Sequence, residues 1–188
     1  EVMDNLKPLD YTKIFESGIP LFPIATKVSD FQSVALEDFR NSGELKEALR
    51  ASSKIPLASG KPVVFRGEKY VDGSVAEPIP FVSAFDRGYT HILVLLTRPK
   101  GVLKDPVSRL ERHLIYPLMN RQTPGLGDAH LGGPENYADD LDFLRDNPWA
   151  YPVQLDHEEI GQLEQDPSVL RRGARAGEEA IIQLFEMA

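Results

Sequence analysis

Tyr70-Val71-Asp72-Gly73-Ser74-Val75-Ala76-Glu77-Pro78-Ile79-Pro80 decides how this chain is read. An apolar pair, Tyr70-Val71, delivers a carboxylate into a glycine turn, and a strand end that presents a carboxylate is a natural place for a catalytic base. Upstream, Pro62-Val63-Val64-Phe65 and Lys69-Tyr70-Val71 are short apolar runs joined through Arg66-Gly67-Glu68. That spacing predicts a hairpin with glycine in its turn, so Asp72 falls where the hairpin ends. Downstream, Pro80 to Arg87 reads as a helix closed by Gly88 in the left-handed stop position. It leads into His91-Ile92-Leu93-Val94-Leu95-Leu96-Thr97, whose unbroken apolar character predicts a strand buried on both faces of a parallel sheet.

Further toward the N-terminus, Ile19 to Val28 reads as a buried strand, with Pro20 and Pro23 marking an edge or a bulge. Ser33-Val34-Ala35-Leu36 predicts a second short strand. Asn41 with Glu44 three residues on forms a capping pair for a helix whose Leu45, Ala48 and Leu49 share a face. Pro56 requires that helix to stop by Lys54 to Ile55. After Arg98-Pro99-Lys100-Gly101 the sequence turns charged and helix-rich. A helix is expected from Asp105 or Pro106 to Met119, with Val107, Leu110, Leu114 and Leu118 at helical spacing. Another is expected over Val169 to Met187, with Leu170, Ala174, Ile181, Leu184 and Phe185. Gln122 to Asn147, rich in Gly, Pro and acid, reads as loop with a short helix near Asp139 to Arg145. The expected architecture is therefore α/β, a mainly parallel sheet packed by helices in residues 1–98 and a mostly helical extension in residues 99–188.

Composition limits the function classes. The chain has 188 residues, 41% of them hydrophobic, enough for a sizeable core. A net charge of -8 argues against a nucleic-acid partner, which needs a basic surface. The absence of cysteine excludes disulfides and thiol catalysis. No apolar run approaches the roughly 20 residues of a membrane span, so any membrane contact is expected to be transient and at the surface. Nothing after Glu1 has the pattern of a signal peptide, and a cytoplasmic setting is the expectation.

The ordered set Ala51-Ser52-Ser53-Lys54-Ile55-Pro56, Tyr70-Val71-Asp72-Gly73, Pro78-Ile79-Pro80, then a helix and a buried strand, resembles the patatin-like family of lipid acyl hydrolases. The likeness covers about Pro20 to Pro99 and is closest to the C-terminal part of a bacterial member. It implies a partial patatin-like α/β fold and hydrolysis of a lipid ester through an acyl-serine, without a cofactor. It also implies that Asp72 is the base, with Gly73 and Ser74 completing its motif, Ser74 standing where the family has glycine or alanine. A glycine at that place would tolerate a positive φ that serine resists. The family's Gly-x-Ser-x-Gly elbow and its glycine-rich oxyanion loop have no counterpart among the 188 residues. The resemblance thus implies the carboxylate half of a dyad, an inactive chain when alone, and the nucleophile-bearing N-terminal half of the same fold as partner.

Other readings compete. Asp-Gly is among the commonest turn dipeptides, so Asp72 gains its role from the ordered set and not from itself. A non-catalytic acyl-binding or protein-interaction domain would keep the scaffold without the chemistry. A phosphoryl-transfer Asp-x-Asp-Gly motif fails because position 70 is Tyr. Ser74 lacks the elbow of a nucleophile, and Ser52 and Ser53 suit local backbone bonds. Asp128, His130, Glu135, Asp139, Asp140 and Asp142 match no metal-ligand spacing and read as an acidic loop, with Gly125, Gly127, Gly132 and Gly133 as hinges. His91, His113 and His157 are assigned to packing or solvent. Arg171, Arg172 and Arg175 belong to the solvated face of the last helix, and Trp149 and Tyr151 to the edge of a core.

Overall fold

A computed structural model describes residues 8–55, 60–156, 160–161 and 164–186. Pro56, His157 and Met187 lie outside them. The chain forms two compact units, residues 1–77 with 118–129, and residues 78–117 with 130–188.

In the first unit α1 (Tyr11–Glu16) precedes β1 (Ile24–Lys27), β2 (Ser33–Ala35), α2 (Ser42–Ser52), β3 (Val63–Phe65) and β4 (Glu68–Asp72). The strands form one sheet in the order β2-β1-β4-β3, every pair antiparallel. β1 is shorter than its sequence suggests because Pro20 and Pro23 offer no N–H to a ladder, and Ile19 and Leu21 stay exposed. It is an inner strand, not an edge. Helix α2 starts where expected, the Asn41 side chain accepting from the Glu44 N–H at 3.0 Å. The Glu44 carboxylate reaches back to the Arg40 N–H, one residue beyond the usual capping box. Leu45, Ala48 and Ala51 form the buried face of α2. Ala48 and Ala51 join Ala25, Leu36, Val63, Phe65 and Tyr70 in the core of this unit. Between β3 and β4, Arg66 and Gly67 both take positive φ (48° and 84°), as a two-residue hairpin with the strand twist requires.

After β4 the chain forms α3 (Phe81–Phe85), β5 (Ile92–Leu95), a π-helical segment (Glu111–Ile115) running into α4 (Tyr116–Gln122), then α5 (Leu126–Leu131), α6 (Gly133–Asp146), β6 (Ala150–Val153) and α7 (Pro167–Glu186). All lie in the second unit except residues 118–129, which carry most of α4 and α5 and belong to the first. Gly88 ends the α3 region at φ 85°, as expected. Among the described residues β5 pairs in parallel with β6 alone. Its Val94, with Leu96, enters a core of Ile79, Phe81, Tyr137, Leu144 and Ala150, while Leu93 and Leu95 face out. The expected burial on both faces therefore fails, since Leu93, Leu95 and Tyr151 stay exposed among the described residues. Trp149 stacks on Phe85 with centroids 4.8 Å apart and edges up to Phe143, placing it at the border of that core.

The α/β class holds, with a parallel sheet, an antiparallel sheet and helices that include a C-terminal one. The larger sheet is antiparallel and not mainly parallel, because tight turns, not crossover helices, join β1 to β2 and β3 to β4. The loop expected over Gln122 to Asn147 is instead mostly α5 and α6, its glycines marking helix starts. The helix expected from Asp105 begins only at Arg109. Ser108 and Glu111 cap it reciprocally, each N–H bonded to the other's side chain at 2.8 and 3.2 Å.

Candidate active site

Asp72 is the last residue of β4, opposite Ala25 of β1, and is half-buried. Both of its backbone groups are held by other segments. Its N–H donates to the Lys54 carbonyl at 3.0 Å, and its carbonyl accepts from the Thr26 hydroxyl at 2.8 Å. The first contact joins two pieces that are separate in sequence, the Ser53-Lys54-Ile55 stretch and the Asp-Gly turn. Ser53 itself bonds the Leu49 carbonyl at 2.8 Å and closes α2, as its local reading expects.

Asp72 caps a short 3-10 turn, Gly73–Val75, with Oδ1 accepting from the Ser74 N–H at 2.9 Å. Oδ2 accepts no hydrogen bond among the described residues. The carboxylate therefore has one oxygen committed to orientation and one available to a proton donor. Gly73 is required by space and not by a positive φ: a Cβ there would lie 2.8 Å from the Ile24 carbonyl carbon and closer still to its oxygen. Ser74 does not take a positive φ, so serine is accommodated at the place where glycine or alanine was the expectation. Its side chain is exposed.

Thr26 is the residue that sequence reasoning passed over. It is fully buried, and its hydroxyl donates to the Asp72 carbonyl while accepting from the Ala76 N–H at 3.2 Å. One side chain thus ties both ends of the turn to β1. The only signal in sequence is a hydroxyl inside the apolar run Pro23-Ile24-Ala25-Thr26. Glu77, also buried, ends the motif and accepts from the Ser33 hydroxyl.

The remaining candidates are dispersed. Asp128 lies on α5 and Glu135, Asp139, Asp140 and Asp142 on α6. Asp140 accepts from the Ile79 N–H at 3.3 Å and Asp142 pairs with Arg145 at 2.7 Å. Among the described residues no cluster of three or more such side chains could hold a metal. His113 donates to the Arg109 carbonyl at 2.8 Å if its Nδ1 is protonated, and His91 stacks on Tyr151. Arg171, Arg172 and Arg175 are exposed on α7. In the second unit a cavity of about 270 Å³ is lined by Pro78 to Phe81, by β5 and by Tyr137. Among the described residues no helix is long and apolar enough to cross a membrane.

Residues 9–85, which include the whole Asp72 turn, match the family described as patatin-like phospholipase. Two curated proteins are similar: human 1-acylglycerol-3-phosphate O-acyltransferase PNPLA3, 47% identical over 60 residues, and its mouse counterpart, 45% identical over 60 residues. Each alignment covers 31% of this chain, but only 12% of the human and 14% of the mouse protein. The resemblance read from the motifs is thereby the one the comparisons find. Both relatives are mammalian and give no support to a bacterial source.

Proposed function

We propose that this chain is the carboxylate-bearing part of a patatin-like lipid acyl hydrolase, with Asp72 as the general base. The observation that carries the reading is the state of the Asp72 side chain. It is half-buried at a strand end, its backbone is fixed at both groups, and one carboxylate oxygen accepts no hydrogen bond among the described residues. In the proposed reaction Oδ2 takes the proton of a serine hydroxyl supplied by a segment outside these 188 residues. The serine oxygen adds to the ester carbonyl, and the leaving alcohol takes that proton back from Asp72. Water, deprotonated by the same carboxylate, then adds to the acyl carbon, and the serine oxygen leaves with that proton from Asp72 as the acid is released. An acyltransferase such as the human relative is named for would differ only in the acceptor, a lipid hydroxyl in place of water.

The nucleophile-bearing half of the fold is the partner this reading requires. Exposed Ile19, Leu21 and Ile55 provide apolar surface on the first unit for it to cover. Residues 1–98 are then the patatin-like part and 99–188 the helical extension, in a cytoplasmic protein that meets lipid at a membrane surface. A second reading, acyl binding without chemistry, draws on the apolar cavity beside β5.

The test is Asp72→Asn in the intact parent. Asparagine keeps the acceptor for the Ser74 N–H and removes the base, so turnover should fall by about 10²–10⁴ while the melting temperature stays nearly unchanged. Full turnover in that variant refutes the role of Asp72 and leaves the binding reading in its place.

A further inference from the structure

Helix α7 carries its charges in the reverse of the order its own dipole favours. Arg171, Arg172 and Arg175 occupy the N-terminal half, and Glu178, Glu179 and Glu186 the C-terminal half. The first turn holds no acid and the last no base. The partial positive charge at a helix N-terminus favours acids there and bases at the far end, each by about 0.3–1 kcal/mol, so this helix forgoes both. Asp166, whose carboxylate accepts from the Ser168 N–H at 2.7 Å just before the helix, offsets the arrangement at one end only. Arg171, Arg175, Glu178 and Glu179 form no ion pair among the described residues, although Arg175 stands three and four residues before the two glutamates.

The apolar residues of α7 divide into two strips. Val169, Gly173, Ala176, Ala180 and Leu184 are buried or half-buried, with Ile160 lying over Gly173. Leu170, Ala174 and Phe185, with the half-buried Ile181 among them, define a second strip that is largely exposed, Leu170 at 43% and Phe185 at 69%, and Ile182, at 48%, lies beyond the charges that flank it. At 3.6 residues per turn Arg171, Arg175 and Glu178 border that second strip.

We propose that this exposed strip joins two copies of the chain, their α7 helices antiparallel and crossing near Gly177. Antiparallel pairing sets the basic half of each helix against the acidic half of the other and opposes the two dipoles. It also covers Leu170 and Phe185. The pattern is self-complementary about its midpoint, which is what a two-fold interface between identical chains demands. Parallel pairing would place arginine on arginine. An anionic lipid surface would attract one half of the helix and repel the other. Gly177 and Ala174 at the crossing allow close approach of the two axes. The inference does not depend on the role of Asp72.

Sedimentation equilibrium of the full chain over a range of concentrations tests this. A monomer-dimer equilibrium is expected, its dissociation constant rising with added salt because the paired charges lie at the rim of the contact. Arg171→Glu with Arg175→Glu should weaken the dimer by about tenfold or more, as should Glu178→Arg with Glu179→Arg, and the four changes together should restore it. Phe185→Glu gives a check independent of charge and should dissociate the dimer without altering the circular dichroism spectrum. A chain that stays monomeric throughout overturns the proposal. So does a dimer that no charge variant weakens, or a monomer that binds phosphatidylglycerol vesicles through α7.

Discussion

Thr26 shows how much of a site can rest on a residue that does no chemistry. Its single hydroxyl satisfies the Asp72 carbonyl and the Ala76 N–H, and both bonds lie in a region that water does not reach easily. Replacing it with valine keeps the shape, leaves the Ala76 N–H only its 3.2 Å bond to the Gly73 carbonyl and removes the donor to the Asp72 carbonyl, and an unsatisfied buried group costs about 1–3 kcal/mol. Thr26→Val should therefore lower the urea midpoint, with the unfolding free energy falling by an amount in that range, and shift the amide resonances of Gly73 to Ala76. In an active parent it should also lower turnover through the position of Asp72. A variant with the parent's midpoint and unmoved resonances would show that the hydroxyl does not hold the turn. The family resemblance around Asp72 was legible in sequence because its neighbours come in a recognisable order. Thr26 was not, since its partners stand 46 and 50 residues away and are main-chain atoms of any type.

At the scale of elements, the hairpin turn and α2 are joined through one carboxylate. Glu44 accepts from Arg40 Nε at 2.8 Å, from the Arg40 N–H at 3.0 Å and from Arg66 Nη2 at 2.9 Å. Arg66 also donates to the Glu37 and Asp38 carbonyls, an anchorage that offsets its positive φ. The Arg40 side chain first, then the Arg40 N–H and Arg66, hold the Glu44 carboxyl at about 2, below its ordinary 4.5. A folded-state value below the unfolded one means the ionised form is favoured by folding. That stabilisation is complete above pH 4.5 and is lost as pH falls toward 2. Glu44→Gln should lower the melting temperature at neutral pH and flatten the acid limb of stability in that window. Parallel stability curves for parent and variant would place the acid sensitivity elsewhere. The elements themselves divide by the range of the forces that set them. The Asn41 cap, the Arg66-Gly67 turn and the Gly88 stop are local, and sequence placed all three. The helix expected near Asp139 to Arg145 is the second half of α6. In the sequence α5 and the first half of α6 read as loop because Gly125, Gly132 and Gly133 suggest breaks. In fact they punctuate two helices whose buried Leu126, Tyr137 and Leu144 decide the outcome.

At the scale of the whole molecule, what the chain contains and what a serine hydrolase needs do not coincide. Asp72 is the proposed base, and a base acts only on a nucleophile held within hydrogen-bond reach. No Gly-x-Ser-x-Gly elbow occurs in these 188 residues. Ser74 is the exposed serine nearest in sequence, yet it sits in a 3-10 turn, not at the strained junction of strand and helix that presents a nucleophile. Oxyanion donors are a second need, and losing one costs about 10²–10³ in rate in enzymes of this type. The purified chain should therefore release no p-nitrophenol from short or long acyl esters above the buffer rate, leave phospholipids intact, and take no label from a fluorophosphonate probe. Intact-mass measurement after exposure to the probe reads this directly. Stoichiometric labelling mapped to Ser74 would mean that the turn holds its own nucleophile, and the division of the dyad between this chain and another segment would have to be given up.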